Sequence, residues 1–195
     1  MDPVAAERLR EWLQSQGGLD AVGLDLRGAD LSRGDFSESW FTEANMTGVR
    51  LIGAKLYRSD VEWADLSQAD LTGASLVRVN FDDAVLRGAI LDRTDMVKAS
   101  LCGVDASGAS FRDAQFWGAS LLDVNFSGAD LSGATLERNS FKVTLDENTV
   151  VQGLRGTVFG PAQLVGEGAT RTLGGDALES WIRERGGDVR VTPID

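Results

Sequence analysis

Residues 126–136 read FSGADLSGATL, and their large apolar residues Phe126, Leu131 and Leu136 stand five places apart, with Ala129 and Ala134 two places before the second and third. A step of five matches neither the 3.6-residue turn of a helix nor the two-residue pleat of a strand. Followed outward, the register is unbroken from Leu26 to Phe141, a run of 24 positions in which only Ala106 is not large and apolar. Two places earlier the residue is nearly always small, as in Ala29, Ala44, Ala54, Ala64, Ala69 and Ala74, and the place between is often Asp, Asn or Ser.

A unit of five residues cannot bury its own apolar side chain, so neighbouring units must stack to build a shared core. One large and one small position point inward and line a narrow, filled tube. The other three face water.

Residues 128–136, GADLSGATL, resemble the signature of the pentapeptide-repeat family: a small residue, Asp or Asn, Leu or Phe, then two variable residues. The match covers residues 24–143. The resemblance implies an all-β fold, a right-handed quadrilateral β-helix with one pentapeptide per side and four per coil. The 24 units then make about six coils. With adjacent strands about 4.8 Å apart, the tube would be roughly 29 Å long.

An open tube exposes backbone groups and apolar filling at its ends, so both flanks are expected to be caps. Residues 1–20 form the first, with a helix predicted over 3–16: Asp2 is the N-cap, Pro3 opens the helix, Val4, Ala5, Leu9, Trp12 and Leu13 share a face, and Gly17 and Gly18 stop it. The repeat occupies 21–143. Residues 144–195 form a C-terminal capping segment in which Asp176 caps a short helix bearing Leu178, Trp181 and Ile182, Gly186 and Gly187 stop it, and a strand follows. Those three apolar residues have two readings: a second cap, or the contacts of a homodimer, since members of the family pair through C-terminal segments.

The net charge is −11, from 30 acidic and 19 basic residues, which disfavours direct attraction to nucleic acid or an anionic membrane. No signal peptide or long apolar run is present, so a soluble cytoplasmic protein is expected. Histidine is absent, which removes the commonest general base, the commonest metal ligand and every Ser/His or Cys/His pair. Cys102 is the single cysteine and is not expected to act as a nucleophile. With no Walker, dinucleotide or calcium-nonapeptide pattern, no catalytic residue, cofactor or metal site is expected.

Outward positions 20 residues apart should stack into columns. On the third face these are Ser37, Tyr57, Val77, Val97, Trp117 and Glu137, and the apolar members Tyr57, Val77, Val97 and Trp117 form a candidate interaction stripe or the seat of a terminal segment folded back along the tube. Beside it run Arg58, Arg78, Lys98 and Arg138, interrupted by Gly118. The fourth face carries Glu43, Asp60, Glu62, Asp82, Asp83 and Asp123 with Trp40 and Trp63, a candidate acidic face. Asp30, Asp65, Asp70, Asp105 and Asp130 are expected to bond the backbone at the bends. Between Leu86 and Phe126 in its column, Ala106 should leave a void unless Phe126 leans in.

The resemblance supplies one partner, because acidic tubes of this family act as DNA mimics on type II topoisomerases. Duplex DNA carries a charge per roughly 1.7 Å, so a tube of that length would need about 17. Residues 24–143 hold 18 acidic and 12 basic residues, a net of −6, a poor full copy of DNA. A single acidic wall suffices for a basic groove. The chain is therefore read as a non-enzymatic protein-interaction module, with a type II topoisomerase as its sharpest partner. The alternative is a structural or scaffolding pentapeptide-repeat protein of another pathway.

Overall fold

The fold is described from a computed structural model over residues 3–15 and 17–192. The five-residue step is a tight turn plus one paired residue. The N–H three places after each large residue donates back to its carbonyl, Ala129 to Phe126 at 2.9 Å and Ala134 to Leu131 at 3.1 Å. The third residue of the turn lies at positive φ, 66° at Gly128 and 68° at Gly133, as a type II turn requires. The fifth residue then bridges to its equivalents in the coils above and below, as in Ser110, Asp130 and Val150. Every such bridge, from Asp20↔Trp40 to Asp130↔Val150, is parallel and joins residues 20 apart. Four turns thus close one coil, and the chain winds into a right-handed quadrilateral β-helix.

The lumen is filled as the pattern requires. Leu51, Leu66, Leu71, Leu76 and Leu91 are all 0% exposed, as are Ala54, Ala64 and Ala69 between them. Where Ala106 is short of volume, three rings gather: Phe126 meets Phe111 of the preceding coil edge-on at 5.4 Å, and Phe111 lies 5.7 Å from Phe116. The Phe126 ring thus packs on the coil that holds Ala106.

At the bends, the carboxyl of the bridging residue accepts the N–H two places on, from Ser32 to Asp30, Ser67 to Asp65, Thr72 to Asp70, Ser107 to Asp105 and Ser132 to Asp130. Such bonds favour the charged form. The Arg27 side chain, then its backbone N–H, lowers Asp25 to about 2. The Ser37 hydroxyl and N–H lower Asp35. For Asp65, Asp105 and Asp130 burial is the largest effect and pulls upward, but the combined bonds from Ser67, from Arg87 and Ser107, and from Ser132 and Arg112 leave each lowered. A carboxyl lowered by folding contributes stability that is present above its unfolded value near 3.9 and lost as pH falls through the folded value. Urea midpoints should therefore be flat from about pH 7 to about pH 5 and fall steeply only below about pH 4. A midpoint already dropping between about pH 6.5 and about pH 5 would contradict this assignment.

Continuous strands appear only late in the chain: β1 (Gln115–Trp117), β2 (Ser120–Asn125), β3 (Thr135–Asp146), β4 (Arg155–Phe159) and β5 (Ala162–Gly166). β6 (Ala169–Leu173) turns back antiparallel on β5, α2 (Gly175–Glu184) crosses the end, and β7 (Asp188–Thr192) pairs parallel with β4. The third-face wall therefore extends beyond the five-residue register, with eight rungs at Asp35, Lys55, Ser75, Asp95, Gln115, Thr135, Arg155 and Asp188. β3 spans two faces without a turn between them. Its buried Asn139, in a place otherwise held by a small residue, donates to the Ala119 carbonyl at 3.3 Å.

Helix α1 (Pro3–Trp12) lies at the first end, where Trp12 stacks on Phe36 at 4.9 Å. Its inward face is Ala5, Leu9 and Trp12, and Val4 and Leu13 point to solvent rather than joining them as expected. The spacing 5, 9, 12 follows one helical stripe, and positions 4 and 13 fall on either side of it. Asp2 and Gln16 lie outside the described residues. At the other end Asp176 is not the N-cap of α2: that place belongs to Gly174, which makes no side-chain cap, and Asp176 sits in the first turn. Among the described residues no helix is long and apolar enough to cross a membrane.

Candidate interaction faces

Because the rungs are parallel and 20 residues apart, outward side chains stack in straight columns. On the third face Tyr57 and Trp117 are exposed at 37% and 58%, and Val77 and Val97 lie half-buried between them. The Arg58 guanidinium stands 5.2 Å from the Tyr57 ring centroid. At the Trp117 end the wall dips into a recess of about 500 Å³ bordered by Asp113, Gln115, Phe116, Trp117, Glu137 and Arg155.

Alongside the stripe the column runs Glu38, Arg58, Arg78, Lys98, Gly118 and Arg138, at φ 58°, 55°, 60°, 58°, 62° and 56°. The left-handed region disfavours any residue with a Cβ. The equivalent column of the first face is Gly28, Gly48, Gly88, Gly108 and Gly128, broken by Gln68. Glycine is thus the comfortable choice, and the third face keeps it only at Gly118, as the fourth keeps it only at Gly23 and Gly103.

The fourth face is less uniform than its composition implies. Asp60 accepts the Glu62 N–H and the Asn80 amide, and Asp83 accepts the Trp63 indole N–H at 3.3 Å. Asp123 pairs with Lys142 at 2.8 Å. Asp82 accepts the Cys102 N–H and the Ser100 hydroxyl, supplying the bend bond that Ser100, in place of an Asp or Asn, cannot. Asp92 does the same for Arg112 and Ser110. The clue in the sequence is a serine at the bend with an aspartate 18 places before it. Glu43 and Glu62 make no side-chain bond among the described residues. Partial desolvation, then Asp60, Asp82 and Asp83, holds the Glu62 carboxyl above its ordinary range. Trp40 and Trp63 are exposed beside this cluster. Cys102 is half-buried on the same wall, its Sγ 3.3 Å from the Ser120 hydroxyl.

Leu178, Trp181 and Ile182 are buried by this chain itself, at 0%, 8% and 1% exposure, and Arg185 covers the Trp181 ring at 4.2 Å.

Turn, rung and column together define a stacked-coil solenoid whose walls are ladders of parallel rungs. The family described as pentapeptide repeats matches in 8 copies over residues 22–62, 64–103, 79–118 and 99–138. The chain belongs to the pentapeptide-repeat family. Proteins of this family are in general structural or interaction modules. Solved structures similar to it include trypsin-treated QnrB1, a plasmid-mediated fluoroquinolone resistance protein, at 19% identity and TM-score 0.48 over 71% of this chain and 90% of that one. Rfr23 of the cyanobacterium Cyanothece 51142 matches at 26% identity and TM-score 0.41, over 74% of this chain and 97% of its own. HetL of Nostoc sp. strain PCC 7120, involved in heterocyst differentiation regulation, matches at 21% identity and TM-score 0.30, over 79% and 85%. No curated protein sequence matches the chain.

Proposed function

We propose that the chain is a non-enzymatic, cytoplasmic protein-interaction module that presents its acidic fourth face to a basic groove on another protein, a type II topoisomerase in the sharpest form of this reading. The observation that carries it is the crowding of Glu62 by Asp60, Asp82 and Asp83, which adds to partial desolvation in holding the Glu62 carboxyl above its ordinary range. A cationic groove relieves that repulsion, so these carboxylates favour docking more than the same charges dispersed. The wall is already ordered by its bonded rungs, which keeps the entropy cost of binding low.

The test is gyrase supercoiling at rising protein concentration, with and without a quinolone. The wild-type chain is expected to inhibit supercoiling or protect the enzyme from the drug. A Glu62→Lys, Asp83→Lys double variant with an unchanged melting curve should need about tenfold more protein for the same effect. No inhibition and no protection by the wild type would sink the topoisomerase reading.

A further inference from the structure

We infer that the third face is a second docking surface, and that its partner is an amphipathic helix with carboxylates along one edge. The proposal rests on the reading of the solenoid as an interaction module but not on a topoisomerase.

Six cations of residues 21–143 lack a carboxylate within 4.0 Å among the described residues: Arg33, Arg58, Arg78, Arg93, Lys98 and Arg138. Arg27, Arg50, Lys55, Arg87, Arg112 and Lys142 all have one. Four of the six stack in the single column beside the stripe, where Arg58, Arg78 and Lys98 occupy successive rungs. Like charges on neighbouring strands repel. That cost persists in a chain whose net charge is −11 and which has carboxylates to spare. An acidic partner removes it.

The apolar stripe beside the ridge says what else the partner carries. Tyr57, Val77, Val97 and Trp117 offer a row of apolar contacts ending at the recess beside Trp117, whose walls also carry Asp113, Gln115, Glu137 and Arg155. Spacing selects a helix. Three rungs of about 4.8 Å separate Tyr57 from Trp117, roughly 14 Å, which a helix of 5.4 Å pitch covers in about ten residues with one contact per turn. Side chains on one side of a strand recur at about 6.8 Å and would meet only the two ends of that row, passing between Val77 and Val97. Phosphate is the poorer ligand, because the carboxylates of the fourth face lie around the adjoining corner and the row beside the ridge is apolar.

The probe is a fluorescein-labelled synthetic helix of about 14 residues with leucines on one face and glutamates along the flank, titrated by anisotropy against the full chain. A peptide with lysines for glutamates and a single-stranded DNA oligonucleotide are run in parallel. The acidic peptide is expected to bind, to weaken with added salt, and to lose at least about tenfold in affinity to an Arg78→Glu, Lys98→Glu variant. Trp117→Ser should weaken it too, with melting curves unchanged in both variants. Equal binding to wild type and double variant, or none to either, overturns the proposal. So does tighter binding of the oligonucleotide, or a wild-type dimer in sedimentation equilibrium that the double variant abolishes. The double variant is expected to behave as wild type towards gyrase, so this surface and the acidic face fail or survive separately.

Discussion

Replacing Gly156 by alanine is expected to detach the last two rungs of the third face. Gly156 holds φ at 124° opposite Leu136, and a Cβ there would sit 1.7 Å from the Leu136 carbonyl oxygen and 2.6 Å from its carbon. Both are backbone atoms of β3 and cannot rotate aside. β4 must therefore leave β3, and β4 carries β7 on its other edge, with α2 packed on β7 in turn. The loss should reach about 4 kcal/mol or more, the range reserved for strain at a special backbone position. Because a solenoid is held only by neighbour contacts, the damage should stay local. Amides of β4 and β7 should exchange as in an unfolded segment while those of the coils around Leu71 stay protected. Unchanged exchange in β7 would show that β3 and β4 do not approach so closely.

The second large effect is at Phe126. Phe126→Ala should cost about 3–5 kcal/mol in urea unfolding, at the upper end of that range, because Ala106 above it has only a methyl group, too short to collapse into the gap. A sharper test reverses a sign. Ala106→Leu in the wild type forces methylenes against the Phe126 and Phe111 rings and should destabilise by about 1–3 kcal/mol. In the Phe126→Ala background the same leucine enters the vacated space and should restore about 1–2 kcal/mol. If Ala106→Leu acts with one sign in both backgrounds, the rings do not share that space.

The repeat was legible because its turn, its bridge and its two inward places each select a residue type, so one stretch of 11 residues carries the whole coil. It stopped being legible where the backbone stopped turning. In β3 the buried residues become Phe141, Val143 and Leu145, an alternation of two, while Asp146 stands in the next large-residue place. A one-residue slip at Val124↔Val143 shifts the register, and the insertion of β6 and α2 separates Arg155 from its partner Asp188 by 33 places. Strand pairing across such an insertion leaves no local signal. The columns could be read from sequence because they need only the count of 20. The bonds of Asp82 could not be read from one column, since they run to Ser100 and Cys102, 18 and 20 places on. Six acidic residues of equal standing in sequence thus divide into four that are tied and two, Glu43 and Glu62, without side-chain bonds among the described residues.

A chain that completes a lap every 20 residues can be trimmed or lengthened cleanly only in whole laps. Excising one lap brings every later wall up under its own predecessor, shortens each footprint by one step and leaves the order of the walls intact. Excising a single quintet swivels everything downstream by a quarter turn, so that the Trp117 hollow would hang beneath a different wall from Tyr57. Descent by insertion and deletion is therefore quantised here, and the span of any partner's grip changes in the same steps.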